Sequence, residues 1–224
     1  SAPCAADLRA RFPRAAAKVL AIPNGVSPRF QPITDAAALR AFRAAHGLGD
    51  GPLVAYLGTL QPRKNVELLA SAFGRVADRL PGAELVLAGR IRPGYRPNLP
   101  RERVRLIGPL ADADLPLFYS SVAVLVNASL YEGFGLTLVE AMASGCPVIA
   151  LRRSAVPEVT GDAALLIDEP TEDALGRALV AMVGSPATAA SHRALGLLRA
   201  TEFSWARAAE AIEAAYVKAL HAPS

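Results

Sequence analysis

The sequence predicts an α/β fold in which a parallel sheet is covered by helices on both faces. Short apolar runs of strand length alternate along the chain with longer stretches of helical periodicity, as in consecutive β–α units. The chain has 224 residues, of which 52% are hydrophobic, so it can enclose one large core. We therefore expect one α/β domain over most of the chain.

Seven apolar runs have the length and composition of buried strands. In chain order they are 18–22, 53–57, 84–88, 103–107, 122–126, 148–151 and 164–167. Between the second and third runs, apolar residues follow the spacing of an amphipathic helix that is closed by Pro81-Gly82. The proline- and glycine-containing stretch 91–99 indicates a surface loop. Ser204 is placed to cap a last helix, whose apolar stripe is Trp205, Ala208, Ile212, Tyr216 and Leu220.

A glycine-bounded turn follows the fifth predicted strand. Glu132 and Glu140 are eight residues apart and enclose this turn, and a helix follows that ends at Ser144-Gly145. The N–H groups of the first residues of this helix would be unpaired, and free amides at the positive end of a helix dipole attract phosphate. These residues are Gly135, Leu136 and Thr137. Carboxylates do not help to bind a diphosphate, so the two glutamates are better explained as acceptors for hexose and ribose hydroxyls. The segment predicts a site for a nucleoside diphosphate sugar.

A second candidate segment, Gln61-Pro62-Arg63-Lys64-Asn65, follows the second predicted strand and precedes a helix. Arg63 can bind phosphate oxygens bidentately, and Lys64 can act as a point charge. Both can stabilise the negative charge that is left on a nucleoside diphosphate when a glycosyl phosphate bond breaks. Cations at a helix start oppose the helix dipole, a conflict that is tolerated at functional sites.

The ordered motifs resemble the C-terminal half of retaining glycosyltransferases of the GT-B fold, glycosyltransferase family 4 (group 1). Besides the glutamate pair, they are Asn24-Gly25-Val26, the stretch 56–65, Leu87-Ala88-Gly89, Leu106-Ile107-Gly108 and Phe203-Ser204-Trp205. The likeness covers the chain from about Val19 onward. It implies a Rossmann-like domain that binds the donor, and the stretch 58–65 most resembles bacterial mannosyltransferases that build surface polysaccharides from GDP-mannose.

The resemblance implies an activity and residue roles. A hexosyl group, with mannose favoured, would move from a nucleoside diphosphate sugar to an acceptor hydroxyl with retention of configuration. Glu132 would bind sugar hydroxyls, Glu140 the ribose, and Arg63 and Lys64 the leaving diphosphate. The other donor-binding candidates are Gly58, Thr59, Ile107, Gly133, Phe134, Gly135, Leu136 and Thr137. Retention is expected to proceed by same-face attack assisted by the departing phosphate, and Glu132 as a covalent nucleophile remains an alternative.

The resemblance also implies a division of the chain. Residues 1–17 would be the remnant of an N-terminal acceptor domain with its linker, and residues 18–224 the nucleotide-sugar-binding domain, including a C-terminal helix that crosses back toward the first domain. We therefore expect an excised fragment or an N-terminally truncated product, inactive alone. Its expected partners are the donor, the N-terminal domain of the same protein, and an acceptor glycan or lipid-linked sugar.

Composition argues against several other classes of protein. The net charge of +4 and the pI near 9.4 invite a nucleic-acid interpretation, but aromatic residues are only 6% and no helix carries a dense basic stripe. Asp112-Ala113-Asp114 resembles a metal-binding pattern, yet it lies at a predicted helix start, where acidic residues cap, so no metal or other cofactor is expected. Cys4 and Cys146 lack metal-ligand spacing and fit a reducing compartment. No apolar stretch reaches the ~20 residues of a membrane helix, and the N-terminus is no signal peptide. We expect a cytoplasmic protein, with peripheral contact at the inner membrane as an option.

Three alternatives stay open. The first is a nucleotide-sugar-binding module without activity. The second is a nicotinamide-dependent dehydrogenase, but its Gly-x-Gly-x-x-Gly turn would require a third glycine where Leu138 stands. The third is another GT-B enzyme, such as a sugar-nucleotide epimerase or a phosphorylase; a phosphorylase would use a pyridoxal phosphate lysine, and Lys18, Lys64 and Lys218 all lack a convincing setting for one.

Overall fold

A computed structural model describes residues 1–221. Its six strands form one parallel sheet in the order β3-β2-β1-β4-β5-β6. The strands are β1 Leu53–Leu57, β2 Glu84–Ala88, β3 Val104–Gly108, β4 Val124–Asn127, β5 Val148–Leu151 and β6 Ala164–Ile167. The predicted α/β class with a Rossmann-like parallel sheet is confirmed.

Helices connect the strands and cover the sheet. They are α1 Ala2–Arg11, α2 Ala36–Ala45, α3 Val66–Val76, α4 Leu115–Ser121, α5 Leu136–Ala143, α6 Val156–Thr160, α7 Glu172–Val183, α8 Pro186–Ala200 and α9 Trp205–Leu220. The amphipathic helix predicted after β1 is α3, continued by a 3₁₀ turn at Ala77–Arg79. Ser204 caps α9 as predicted, since its side chain accepts from the N–H of Arg207. Asp114 precedes α4, but its side chain makes no capping bond, so the capping predicted there is wrong.

The core has two halves, one on each face of the sheet. In β1, Leu53 and Ala55 belong to one apolar cluster, while Val54 and Tyr56 belong to the other. This alternation follows from the period of two of a strand, and both faces are buried because helices pack on each. Helices α4 and α5 cover the first face, and α3 and α7 cover the second.

The strand predicted at 18–22 is wrong. Lys18 is the last residue of a 3₁₀ turn, Pro13–Lys18, and Leu20 is half exposed. Its apolar β-branched composition favours a strand, but within residues 1–221 no neighbouring strand pairs with it. The carbonyl of Val19 instead accepts from the Arg9 guanidinium at 2.7 Å.

Two predicted strand boundaries are shifted. β3 begins at Val104 because Arg103 has a φ of +56°, which no strand residue adopts. The Arg103 guanidinium donates to the carbonyls of Ala77, Leu80 and Ala83 at 2.5–2.8 Å, and these bonds hold it in that conformation. β4 begins at Val124 because α4 runs to Ser121.

The sheet order places a topological switch point at β1. The chain proceeds from β1 to β2 and β3 on one side, and then crosses to β4 on the other side of β1. In open parallel sheets, ligands bind outside the carboxyl ends of the strands at such a point. The loops that follow β1 and β4 meet there.

Candidate functional site

Hydrogen bonds join the loop after β1 to the loop after β4. The N–H of Leu130 donates to the carbonyl of Arg63 at 2.9 Å, and Nη1 of Arg63 donates to the carbonyl of Tyr131 at 2.8 Å. Nζ of Lys64 lies 2.5 Å from Oε1 of Glu132. The two segments singled out in the sequence therefore form one site across the switch point.

The local sequence of the first loop directs Lys64 toward Glu132. Pro62 starts a 3₁₀ turn that ends at Lys64, and Asn65 follows with a φ of +53°. Asparagine adopts this left-handed conformation more readily than most residues. Arg63 and Lys64 thus precede α3 in a separate turn. Arg63 stays exposed, whereas the Lys64 side chain is only 15% exposed.

Glu132 is a nearly buried carboxylate with one oxygen fully engaged. Besides Lys64, Oε1 accepts from Nδ2 of Asn127 at 3.0 Å and from Oγ of Ser129 at 2.8 Å. Burial raises the pKa of Glu132, but the three hydrogen bonds and the charge of Lys64 outweigh it and leave the pKa below the ordinary value. Glu132 is therefore ionised at neutral pH.

The second oxygen of Glu132 faces outward. Oε2 accepts no hydrogen bond from residues 1–221 and is not among their buried unpaired oxygens, so solvent reaches it. Two hydrogen bonds fix the main chain of Glu132. Its carbonyl accepts from Oγ of Ser154 at 2.7 Å and from the N–H of Ala155 at 3.3 Å. A fixed carboxylate with one open oxygen is suited to accept a hydrogen bond from a ligand hydroxyl.

The turn after Glu132 presents unpaired amides. Gly135 has a φ of +96°, and a Cβ there would lie 2.8 Å from Cδ1 of Leu138, so the position favours glycine. No side chain caps α5, and within residues 1–221 the N–H groups of Gly135, Leu136 and Thr137 have no acceptor, as the sequence predicts. Such a helix start favours an anion.

An aromatic contact anchors this turn. Phe134 is 8% exposed and packs edge-on against Phe203, with 5.7 Å between ring centroids. The carbonyl of Phe203 in turn accepts from the N–H of Val26. Through Phe203, the motifs at 24–26 and 203–205 therefore support the turn.

Glu140 is held by a tyrosine. Oε2 of Glu140 accepts from the hydroxyl of Tyr119 at 2.8 Å. Burial raises the pKa of Glu140, and the bond from Tyr119 and the charge of Arg29 offset only part of that rise. Oε1 accepts from no described residue and is open to solvent, so Glu140 repeats the arrangement of Glu132.

Glycines stand at the ends of β1 and of the two strands beyond it, β2 and β3. Gly58 follows β1, Gly89 follows β2 and Gly108 ends β3, all with positive φ. The N–H of Gly58 donates to the carbonyl of Ala88 at 2.9 Å, and that of Gly89 to the carbonyl of Gly108 at 2.7 Å. These three glycines leave the carboxyl edge of the sheet without side chains at the ends of β1, β2 and β3, and we call this surface the floor of the site. The carbonyl of Thr59 accepts from the hydroxyl of Tyr56 at 3.0 Å, and the Thr59 side chain is exposed.

Ile107 lies at an irregularity of the edge strand. Leu87 pairs with Leu106 and Ala88 with Gly108, so Ile107 has no partner in the register. Bulges of this kind expose backbone groups and occur at sheet edges next to binding sites.

Helix α1 contacts the glycine turn, a feature that the sequence did not reveal. Oγ of Ser1 donates to the carbonyl of Gly133 at 2.6 Å, and Sγ of Cys4 lies 3.3 Å from the same oxygen. The hydroxyl of Tyr131 donates to Oδ2 of Asp7 at 2.8 Å and also contacts Cys4. The segment 1–17 thus borders the site directly.

All the candidate residues lie at the carboxyl edge of the sheet or in the loops and helix start that follow it, with Glu140 one helical turn further on. Sequence reasoning missed the residues that orient the two glutamates: Tyr119, Asn127, Ser129 and Ser154. A signal exists for Asn127 and Ser129, because polar residues that end an apolar strand mark the ligand edge of a parallel sheet. None exists for Tyr119, whose partner is 21 residues away.

Comparisons with known proteins identify related chains. A family model described as "Glycosyl transferases group 1" matches residues 51–185. O-antigen chain mannosyltransferase B of Escherichia coli is 34% identical over 162 residues, which are 67% of this chain and 42% of that protein. MMP alpha-(1->4)-mannosyltransferase of Mycolicibacterium hassiacum is 32% identical over 195 residues, which are 81% of this chain and 46% of that protein. The chain spans about half the length of the curated relatives it matches.

Solved structures show the same fold. Sucrose-phosphate synthase from Thermosynechococcus elongatus superposes with a TM-score of 0.78 at 29% identity, covering 100% of this chain and 58% of that one. HepE of Anabaena, solved in complex with UDP-glucose, superposes with a TM-score of 0.77 at 21% identity, covering 92% of this chain and 61% of that one.

Proposed function

This chain belongs to the glycosyl transferases group 1 family, and from that premise we propose that it is the donor-binding domain of a retaining hexosyltransferase. The enzyme moves a hexose, with mannose favoured and GDP-mannose as its donor, to an acceptor hydroxyl in the synthesis of a surface polysaccharide or glycan. No metal or other cofactor takes part.

One observation carries the proposal: the Lys64–Glu132 ion pair joins the two loops at the switch point, beside the open start of α5. Cation, unpaired amides and a carboxylate with one open oxygen lie together at the edge where parallel sheets bind ligands. A nucleoside diphosphate sugar has the complementary groups: two phosphates, sugar hydroxyls and a ribose diol.

The roles follow from this placement. The diphosphate lies at the start of α5, where the amides of Phe134, Gly135 and Leu136 close over it, with Gly133 and Thr137 at either side. Arg63 and Lys64 stabilise the charge that develops on the leaving diphosphate. Oε2 of Glu132 accepts from a sugar hydroxyl and Glu140 accepts from the ribose. Gly58 and Thr59 border the diphosphate, and the backbone at Ile107 contacts the base.

The environment of Glu132 supports same-face attack over a covalent intermediate. Oε1 already accepts three hydrogen bonds, and the lowered pKa makes the carboxylate a weaker nucleophile. In this mechanism the incoming hydroxyl attacks on the face from which the diphosphate departs. The departing phosphate takes the proton of this hydroxyl. The bond between the anomeric carbon and the phosphate oxygen breaks, and the anomeric carbon forms its new bond to the acceptor oxygen.

We further propose that the two parts of the chain belong to different domains. Residues 1–17 belong to an acceptor domain and linker, and residues 18–224 form the donor domain; the contact of α1 with Gly133 then lies at the mouth of the cleft. The exposed apolar residues of α9, Ile212, Tyr216 and Leu220, are suited to pack on that N-terminal domain. The acceptor is a glycan or lipid-linked sugar at the cytoplasmic face of the membrane. Among residues 1–221, no helix is long and apolar enough to cross a bilayer.

Thermal unfolding with single ligands tests the donor site. GDP, UDP, ADP and NAD are each added to the wild type and to Arg63→Ala and Glu140→Ala, with the exposed Arg177→Ala on α7 as a control. A ligand at ~100 times its dissociation constant adds about 2.7 kcal/mol, which raises the midpoint of a domain this size by roughly 5–10 °C. We expect GDP to do so for the wild type and the control, and the site variants to lose most of the shift.

The other outcomes discriminate among the alternatives. A clear preference for UDP over GDP contradicts the GDP-mannose assignment while keeping the transferase. A shift with NAD alone overturns the transferase in favour of a dehydrogenase. Binding of a nucleoside diphosphate sugar that is never turned over, even with the N-terminal domain restored, identifies a binding module.

A further inference from the structure

Tyr119 is a buried polar residue to which the proposed mechanism gives no role. It lies on α4 and is 0% exposed. Its ring packs edge-on against Phe30 and Phe118, with centroid distances of 5.9 and 5.8 Å. A phenylalanine would satisfy this packing equally well. Burying the hydroxyl costs free energy unless it is hydrogen-bonded, so the hydroxyl needs an explanation of its own.

The only hydrogen-bond partner of this hydroxyl within residues 1–221 is Glu140. The O–H donates to Oε2 at 2.8 Å. Burial and the neighbouring charge of Glu140 raise the pKa of Tyr119 well above its ordinary value, so the phenol keeps its proton and always acts as the donor. The charged groups near Glu140 are otherwise Arg29, from the loop before α2, and Asp112, from the loop before α4.

Without this bond, the Glu140 carboxylate would rotate freely about its terminal torsion. A charge-assisted bond to one oxygen fixes the plane of the group and the direction in which the second oxygen points. Oε1 is the oxygen that remains open to solvent. A carboxylate whose oxygens have a fixed orientation is pre-organised to accept from a diol, so binding costs less conformational entropy.

We propose that Tyr119 is a positioning residue, which orients the Glu140 carboxylate toward the ribose hydroxyls of the donor nucleotide. The inference rests on the proposed function, because it takes the nucleoside diphosphate as the ligand. It adds a residue that contacts no ligand and acts only through Glu140.

Calorimetric titration with GDP and 2′-deoxy-GDP tests the proposal, because the quantity of interest is the ratio of the two affinities. We expect the wild type to prefer the ribonucleotide by about tenfold, the value of one hydrogen bond to a charged group. Tyr119→Phe should reduce this ratio to within about twofold, while its affinity for the deoxynucleotide changes little. Glu140→Gln should do the same, and the double variant should bind no more weakly than Glu140→Gln alone.

Two controls separate positioning from general damage. Tyr95→Phe also removes a buried tyrosine hydroxyl, but this hydroxyl makes no hydrogen bond to Glu140, so the ratio should stay at the wild-type value. Glu140→Asp keeps the charge but withdraws the carboxylate from Tyr119 and from the ribose alike, so the ratio should fall and should not fall further when Tyr119→Phe is added. Thermal unfolding confirms that each variant is folded.

Different negative results overturn either the role of Tyr119 alone or the proposed function as well. A ribonucleotide preference that Tyr119→Phe retains overturns the inference and leaves the proposed function intact. Equal loss of affinity for both nucleotides also overturns it, since a structural role alone predicts that result. A wild type that binds neither nucleotide overturns the proposed function together with the inference.

Discussion

Gly89 lies so close to Gly58 that a Cβ on Gly89 would stand 1.9 Å from the carbonyl oxygen of Gly58. Real Cβ atoms never approach a backbone oxygen to this distance, and the φ of Gly89 is +139°. The ends of β1 and β2 can therefore meet only through glycine. This contact sets the floor of the proposed donor site.

Gly89→Ala should lower the free energy of unfolding by more than about 2 kcal/mol, because backbone strain adds to the clash. Urea unfolding measures the change. Gly74→Ala is the matched control: Gly74 lies inside α3, a Cβ there meets nothing within 4 Å, and its replacement should stabilise the protein by about 0.5–1 kcal/mol. Equal effects of the two substitutions would contradict the account of the strand ends.

Lys64→Met should destabilise the protein by roughly 3 kcal/mol at neutral pH, since it leaves a nearly buried carboxylate without its cation. Urea unfolding measures this loss. Lys64→Met combined with Glu132→Gln should regain part of it, because no unpaired charge remains. Lys218→Met removes an exposed lysine on α9 and should change the stability little.

The same pair predicts how stability depends on pH. The pKa of Glu132 is lower in the folded protein than its ordinary value, so its contribution is present above the ordinary glutamate pKa and is lost as the pH falls through the folded value. In Lys64→Met, burial still raises the pKa while the chief opposing group is gone. Unfolding of the variant should then show a smaller loss of stability between pH 6 and pH 4, about the range around an ordinary glutamate pKa. Identical slopes would show that Lys64 does not hold Glu132 ionised.

The strands in the sheet could be predicted well because each is an apolar run bounded by turn residues. The run at 18–22 has the same composition, but strand formation requires a neighbour, and a neighbour is a property of the fold. The boundary at Arg103 was missed for a related reason, since three carbonyls from another part of the chain fix its conformation.

The candidate site was predicted in its chemistry more than in its contacts. Glu132, Glu140 and the glycine turn are adjacent in sequence, so their spacing alone indicates a strand-to-helix junction with two carboxylates. The partners of those carboxylates depend on packing: Lys64 is 68 residues from Glu132, and Tyr119 reaches Glu140 because α4 packs beside α5. Helix α1 at the site was also unexpected, because nothing in residues 1–17 indicates which surface they contact.

Glu140→Gln should stabilise the protein at neutral pH while it weakens nucleotide binding. The pKa of Glu140 is raised in the folded state, so the folded protein is favoured at low pH and loses stability as the pH rises from the ordinary glutamate value to the folded one. Glutamine removes the free-energy cost of the buried charge, and its side-chain oxygen still accepts a hydrogen bond from Tyr119. We expect a gain of roughly 0.5–2 kcal/mol, as for other residues retained for function.

Urea unfolding at pH 7 and pH 4 checks the sign of this change in the free energy of unfolding, because the gain in stability should largely vanish at the lower pH. Glu213→Gln, an exposed glutamate of α9, should give no comparable gain. A Glu140→Gln variant that is less stable at pH 7 would show that the carboxylate is retained for the fold.

The two cysteines should differ in reactivity, and Cys4 should report on the donor site. Cys146 is 2% exposed and burial raises the pKa of its thiol to about 12, so thiolate is scarce and reagent cannot reach it. Cys4 is half-buried in α1, with Sγ 3.3 Å from the carbonyl of Gly133. A thiol reagent should therefore label one cysteine in the native protein and two after unfolding, and Cys4→Ser should abolish the native reaction.

Because a bound diphosphate holds the turn on which Cys4 rests, GDP should slow the labelling of Cys4 in the wild type and not in Arg63→Ala. Labelling of both thiols in the native state, or a rate that GDP leaves unchanged although calorimetry shows GDP bound, would contradict the contact between α1 and the donor turn.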